Sequence, residues 1–235
     1  MNSNESLTLR VTNYIFDYIH KNQMSSGEGL PSELRTGTEL NVSRGVVREA
    51  FRSLEVAGII KKENGRSPRV GVLSNSFLRH LMVHALQTRQ VSLKQVLELR
   101  ASIEVEAAAL AAQRRTDAHT QKLWQAVEGM KKSLDRIPAF IEYDLKFHHV
   151  ISVATGNPLI GIICGAMHES IQESMRAGLM KRRGEDDMRV VADMHAAVAA
   201  AIEEGNSLQV EEKMKWHFEE TYRAIARVEP ENMPA

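Results

Sequence analysis

The sequence predicts a mainly α-helical protein in two parts, three helices and a hairpin at the N-terminus and then an all-helical antiparallel bundle of six or seven helices. Apolar residues recur at helical spacing along most of the 235 residues. The dipeptide Asn64-Gly65, a strong hairpin-turn signal, separates two short β-rich runs. After residue 76 no alternating strand pattern occurs.

The composition is that of a globular protein. Hydrophobic residues make up 43% of the chain and charged residues 26%, which excludes a disordered or fibrous protein. Thirty Lys and Arg balance thirty Asp and Glu, so the net charge does not indicate a nucleic-acid or membrane partner. The single cysteine excludes an internal disulfide framework. With no secretory leader and no apolar run of about 20 residues, we expect a cytoplasmic protein that does not enter a membrane.

The elements of the first part have recognisable boundaries. Ser32 and Ser43 are expected to cap two helices, and Asn41 between them tolerates the left-handed conformation of a tight turn. The predicted elements are helices over 7–23, 33–40 and 44–57 and strands over 59–63 and 69–73. Three helices and a hairpin describe a winged helix-turn-helix, a DNA-binding domain that we assign to residues 1–73.

The second part contains only helical patterns. A short polar linker, 74–76, precedes an all-helical domain assigned to residues 77–235. Breaks are predicted at Pro138, at 156–158, at Gly184 and at 205–206, and the tail from Glu229 is expected to fray. The predicted helices lie near 76–89, 92–114, 117–136, 138–154, 157–180, 186–204 and 207–227.

Basic residues cluster in the winged part. Arg44, Arg48 and Arg52 follow an i, i+4, i+8 spacing, so they share one face of the third helix. Arginine is suited to bidentate contact with guanine, which favours a DNA recognition helix. Arg66 and Arg69 fall on the predicted wing, beside the minor groove or phosphates.

The alternative is a solvated face whose arginines pair with acidic residues, for example Arg52 with Glu55. The position of these arginines, between a helix-turn-helix and a hairpin, favours DNA binding instead.

Two segments carry a resemblance to a known family. Leu30-Pro31-Ser32-Glu33 and the run from Asn41 to Ala50, NVSRGVVREA, resemble the DNA-binding signature of the GntR-type bacterial transcription regulators. The chain departs from that signature at Leu34, Thr36 and Asn41, and its wing reads Gly-Arg-Ser-Pro-Arg-Val. The resemblance implies base contacts from Arg44 and Arg48 and phosphate contacts near Ser43 and Arg35. With the wing added, the assigned DNA-binding residues are Arg35, Ser43, Arg44, Arg48, Gly65 and Arg66.

Asp144 and His148 lie four residues apart on one predicted helix, so their side chains share a face. His195 and His217 lie among apolar residues of two later helices. A carboxylate and neutral imidazoles are a suitable ligand set for a divalent transition metal, and open coordination positions can take water or a small anion. The alternative is that each histidine is a hydrogen-bonded core residue. We interpret the remaining histidines in that structural way, namely His20, His80, His84, His119, His149 and His168.

The helical part also resembles a known domain. The segments around Glu98-Leu99-Arg100, Asp144-x-x-Phe147-His148 and Gly156-Asn157-Pro158 resemble the FCD effector domain of the FadR subfamily of GntR regulators. His195 and His217 fall where the other metal ligands of that domain occur. The resemblance therefore implies a divalent metal on Asp144, His148, His195 and His217, with zinc the first candidate and nickel, manganese or iron as alternatives.

Arg100 falls on the apolar stripe of its helix and needs an anionic partner if it is buried. The sequence leaves open an interhelical salt bridge to a glutamate, an outward-reaching side chain, or a bound effector. The family resemblance favours the carboxylate of an effector.

The leading hypothesis is a homodimeric transcription regulator, a repressor, that binds a pseudo-palindromic double-stranded operator and responds to a small organic or sugar acid. It is not an enzyme, because no catalytic triad, P-loop or dinucleotide fingerprint occurs. The rival is a metal-dependent hydrolase or lyase acting on a small carboxylate. A third interpretation is a DNA-binding protein with a purely structural metal.

Overall fold

In the computed structural model of the protein, the described residues are 6–63, 66–182 and 185–226. Side chains are described for these residues except 173–182, 185–186 and 224–226. The predicted Asn64-Gly65 turn, the Gly184 break and the tail from Glu229 lie outside the described residues. The predicted fold class is confirmed: the described residues are mostly helical, with one small two-stranded sheet. The chain divides into two compact units, Met1–Phe77 and Leu78–Ala235.

The first unit packs three helices and the sheet around one apolar core. Its elements are α1 (Leu7–Lys21), α2 (Glu33–Leu40), α3 (Arg44–Val56), β1 (Ile60–Lys61) and β2 (Arg69–Val70). Val11 and Ile15 of α1 pack against Val47 and Phe51 of α3 in a cluster of buried side chains. The strands are antiparallel, and Ile60 is paired with Val70.

The helix boundaries of this unit follow from their caps. The Ser32 hydroxyl accepts a hydrogen bond from the Arg35 amide, and the Ser43 hydroxyl accepts one from the Val46 amide. Asn41 ends α2 in the left-handed region, at φ 51°, as its residue type predicts. Gly58, at φ 76°, follows the end of α3. These local signals place the α2–turn–α3 element.

Seven helices follow in the described residues. They are α4 (Ser76–Gln87), α5 (Leu93–Arg114), α6 (Asp117–Lys131), α7 (Ile137–Ala154), α8 (Pro158–Arg182), α9 (Glu185–Glu204) and α10 (Ser207–Ala226). In the second unit α5 is central, since it packs against α7, α8, α9 and α10. Capping boxes begin α5 at Ser92 and α6 at Thr116.

The core of the second unit is rich in alanine where helices approach closely. Ala107, Ala108, Ala111 and Ala112 form a fully buried face of α5, against Phe147 and other side chains of α7. Small side chains let α5 approach its neighbours, so polar side chains one or two turns away on the same helix are also enclosed. None of the described helices is both long and apolar enough to cross a membrane.

Candidate DNA-binding surface and metal centre

The exposed face of α3 carries a row of arginines. Arg44, Arg48 and Arg52 are exposed, whereas Val47, Ala50, Phe51 and Leu54 on the other side of the helix are buried. Among the described residues, none of the salt bridges involves these three arginines, so the alternative pairing of Arg52 with Glu55 does not occur. Because these three arginines are unpaired, they can bind a polyanion without breaking an ion pair within the protein.

The other assigned DNA-binding residues have different surroundings. Arg35 on α2 is held by Glu39, with Nε and Oε1 2.6 Å apart, and Glu39 also accepts a hydrogen bond from Tyr14. Arg66 pairs with Glu63 across 2.9 Å. Gly65 lies outside the described residues. Arg35 and Arg66 therefore already share their charge with a carboxylate, unlike the three arginines of α3.

Arg69 of β2, predicted to stand on the wing near DNA, points back along its own unit. Its Nη1 donates a hydrogen bond to the Gly27 carbonyl across 2.8 Å, and its backbone forms a bridge with Gly29. The side chain thus fastens the strand to the loop that follows α1.

In the second unit, the four residues assigned as metal ligands meet at one buried point. α7 supplies Asp144 and His148, α9 supplies His195 and α10 supplies His217. One ring nitrogen from each of the three histidines lies within 4.8 Å of the other two. Asp144 Oδ1 lies 3.0 Å from His195 Nε2. All four side chains are buried.

The imidazoles of this cluster have nitrogens without hydrogen-bond partners. Nε2 of His148, Nε2 of His195 and Nδ1 of His217 are buried and make no aligned hydrogen bond. Nδ1 of His195 is engaged, since it lies 2.8 Å from the Val191 carbonyl oxygen. Buried polar atoms normally find a partner, so several orphaned lone pairs at one point fit a cation.

The protonation states also suit metal ligation. Burial lowers the pKa of His148, and burial together with the neighbouring rings of His195 and His148 lowers the pKa of His217 well below its ordinary value. Burial alone raises the pKa of Asp144, but the close approach of His195 and the other nearby imidazoles bring it below the ordinary value. A carboxylate and neutral imidazoles are the forms that bind a divalent metal.

A second buried group adjoins the first, and the sequence had not singled it out. Glu104 of α5 binds Arg100 of the same helix, with Nε and Oε1 2.7 Å apart. In this structure Arg100 thus pairs with a glutamate one turn along its own helix, and not with a glutamate of another helix. His168 Nε2 lies 2.8 Å from the same oxygen of Glu104, and His148 Nδ1 lies 2.7 Å from its other oxygen. The available signal was the i,i+4 spacing of Arg100 and Glu104 on an apolar stripe.

Comparison with known proteins matches both units. Residues 7–70 match the model of the bacterial regulatory proteins of the gntR family, and residues 95–220 match the FCD domain. The transcriptional regulator LutR of Bacillus subtilis is 24% identical over 85% of this chain and 92% of its own length. The transcriptional repressor NanR of Salmonella arizonae is 27% identical over 85% of this chain and 77% of its own.

Solved structures resemble the fold. A GntR protein of Streptococcus agalactiae matches with a TM-score of 0.67 at 22% identity, over 94% of this chain and all of its own. McbR/YncC of E. coli matches with a TM-score of 0.53 at 14% identity, over 96% of this chain and 100% of its own. At these identities the likeness concerns the fold alone.

Proposed function

The chain belongs to the bacterial regulators that join a gntR-type DNA-binding domain to an FCD domain, so it is a transcription regulator and not an enzyme, and we propose that its helical unit binds a divalent metal and a small carboxylate effector. The rival hypothesis, a metal-dependent hydrolase or lyase, is therefore set aside.

A single contact carries the metal proposal. Nδ1 of His195 donates its proton to the Val191 carbonyl, so in the neutral form of the ring the lone pair lies on Nε2. That lone pair faces the ionised Asp144 carboxylate across 3.0 Å in a buried place. Two buried acceptors cannot hold this position without positive charge between or beside them. A metal ion that also takes His148 and His217 supplies that charge.

The donor set decides which ions fit. Three imidazoles and one carboxylate suit zinc first, and nickel, manganese or iron as alternatives. When bound, such an ion offers Lewis-acidic positions to a carboxylate oxygen of an organic or sugar acid. The protein contributes the charge balance and the enclosure, since each ligand is buried.

We assign effector contact to Arg100, which is 3% exposed. Burial alone lowers the pKa of Arg100, but the charge of Glu104 raises it above its ordinary value, so the side chain remains a cation. A guanidinium has five N–H donors, and the hydrogen bonds to Glu104 use Nε and Nη2. The other N–H groups suit a carboxylate of the acid.

For DNA, we propose that a homodimer places α3 of each subunit in the major groove of a pseudo-palindromic operator. Arg44 and Arg48 are the base-reading residues, because they are exposed and unpaired near the start of α3. Ser43, Arg35 and the wing residues Gly65 and Arg66 are assigned to phosphate or minor-groove contacts. The DNA-binding part is assigned to residues 1–73 and the effector and dimerisation part to 77–235, and repression is the expected mode.

The test uses two neighbouring histidines of α7, one buried and one exposed. Wild type, His148→Ala and His149→Ala are titrated by calorimetry first with zinc and then, in the presence of zinc, with a panel of hydroxy and sugar acids. DNA selected from a random library is then titrated with and without each acid. We expect acid binding, with altered DNA affinity, for the wild type and for His149→Ala only. Zinc binding without any acid effect on DNA favours the purely structural metal, and no zinc binding overturns the metal proposal.

A further inference from the structure

The carboxylate of Glu104 is a junction between three other side chains. Its Oε1 accepts from Arg100 Nε at 2.7 Å and from His168 Nε2 at 2.8 Å. Its Oε2 lies 2.7 Å from Nδ1 of His148. Glu104 is 2% exposed, so these side chains replace water around the carboxylate. The junction links α5 and α8 to the ring of a proposed metal ligand on α7.

The junction has the composition of a second cation site. Glu104, His148 and His168 each offer a donor atom, and the three atoms lie within 4.8 Å of one another. Arg100, however, already places a full positive charge on this carboxylate. A divalent ion beside a buried guanidinium adds like charge where water cannot screen it, which is costly. The cation of this junction is therefore Arg100, and the carboxylate has another role.

That role follows from the two nitrogens of His148. A neutral imidazole has one N–H and one lone pair, and the partner of the first nitrogen fixes which nitrogen can ligate. Nδ1 faces an ionised carboxylate, which favours a proton on Nδ1. The lone pair then lies on Nε2, which is buried without a hydrogen-bond partner. A carboxylate that orients a histidine in this way also makes the ring a stronger ligand.

We propose that Glu104 is a positioning residue of the metal centre: it binds Nδ1–H of His148 and so presents Nε2 as the ligating atom. Arg100 and His168 hold the carboxylate in place for this. The inference rests on the proposed metal binding and adds a determinant of affinity that does not touch the metal.

The surroundings of Glu104 keep it ionised. The Arg100 guanidinium, with Nε 2.7 Å from Oε1, balances the negative charge of this buried carboxylate. His195 provides a contrast, since its Nδ1 faces the neutral backbone carbonyl of Val191. A charged acceptor polarises an imidazole more than a neutral acceptor does. The orientation and ligand strength of His148 therefore depend on a side chain, whereas those of His195 depend on the backbone.

The first experiment measures zinc affinity by competition with a chelator for the wild type, Glu104→Gln and His195→Ala. Glu106→Gln is the matched control, because Glu106 is exposed two residues along the same helix. We expect zinc affinity to fall about 10–100-fold in Glu104→Gln and not in Glu106→Gln. Equal affinity in Glu104→Gln and wild type, with loss in His195→Ala, overturns the inference and leaves the metal proposal intact. Absence of zinc binding by the wild type overturns both.

The second experiment separates positioning from a purely structural role. Nuclear magnetic resonance of the zinc-loaded wild type reports which ring nitrogen of His148 carries the proton, and we expect Nδ1. In Glu104→Gln this proton signal should move upfield, because an amide oxygen is a weaker acceptor, while the His195 signal stays. The wild-type spectrum alone tests the inference if Glu104→Gln does not fold. Zinc on Nδ1 with the proton on Nε2 contradicts it.

Discussion

The guanidinium of Arg100 and the carboxylate of Glu104, one turn apart on α5, form an ion pair in which each side chain is 3% exposed. Lys94 and Glu98 repeat the same i,i+4 spacing on the same helix, but with side chains 65% and 56% exposed and 3.9 Å between the charged atoms. The two pairs differ in solvation rather than in spacing, so one helix provides both a test and its control.

We expect Arg100→Met to lower the free energy of unfolding by about 3–5 kcal/mol, because it leaves Glu104 buried without its cation. Lys94→Met should change it by less than about 1 kcal/mol, since exposed pairs contribute little. Chemical denaturation of the metal-free proteins measures both. Similar values for the two variants would show that the buried pair adds nothing beyond an exposed one.

Gly129 on α6 marks a close approach to α7. A Cβ at this position would lie 2.3 Å from the ring of Tyr143, so the ring or one of the two helices must move. Gly129→Ala should therefore destabilise the protein by about 1–3 kcal/mol, as overpacked cores do. Gly161→Ala on α8 is the control, because a Cβ there meets nothing within 4 Å. The control should be neutral or stabilising by up to about 1 kcal/mol, and thermal denaturation compares the two.

Local signals explain which parts of the fold were predictable. Ser32, Asn41 and Ser43 act through their own backbone neighbours, and α2 and α3 begin and end as predicted. The strands are shorter than predicted, two residues each instead of five. Directly after β2 the chain lies close to the turn after α3, since a Cβ on Gly71 would lie 2.1 Å from the Gly58 carbonyl oxygen. Sequence periodicity does not report such an approach.

The candidate metal site was likewise only partly predictable from the sequence. The i,i+4 spacing of Asp144 and His148 predicts a shared face of α7, but the approach of His195 and His217 depends on how α9 and α10 pack. Their assignment as ligands therefore came from family resemblance. Glu104 was not predicted, because the partner of Arg100 was sought outside its own helix.

Stability of the metal-free protein should depend on pH through His217. Its pKa is lowered in the folded protein by burial and by the rings of His195 and His148. Below about pH 6.5 a histidine in the unfolded chain binds a proton that His217 in the folded protein does not. The free energy of unfolding therefore has its full value above that pH and decreases as the pH falls. We expect a loss of up to about 1.4 kcal/mol per pH unit from this group.

Chemical denaturation in the presence of a chelator, at several pH values between 7.5 and 5, measures the slope of the free energy of unfolding against pH. His217→Gln should reduce it, with the remainder due to His148, whereas His149→Gln, at an exposed position, should leave it unchanged. A slope equal in the wild type and His217→Gln contradicts the assignment.

Cys164 should be inert in the folded protein. Burial raises the pKa of its thiol to about 11, so only about one thiol in a thousand is ionised at pH 8. Because the thiolate is the nucleophile, iodoacetamide should label native Cys164 more than about 100-fold slower than the unfolded chain. Mass spectrometry measures the label. A Cys164→Ala, Ser102→Cys protein, with its thiol at an exposed position of α5, is the control for reagent access and should react quickly. Rapid native labelling of Cys164 would contradict its enclosure.

The last prediction separates base reading from phosphate binding. Arg48 is exposed and unpaired on α3, whereas Arg66 on the wing is paired with Glu63. We expect Arg48→Ala to cost about 1–3 kcal/mol and to relax base preference at one position of each half-site. Arg66→Ala should weaken binding to all sequences alike. The slope of log affinity against log salt concentration should become less steep by about 0.9 for each phosphate that the variant no longer neutralises. Selection from a random DNA library and binding at several salt concentrations measure both, with Lys132→Ala of the helical unit as control. If Arg48→Ala retains affinity and sequence preference, α3 is not the recognition helix.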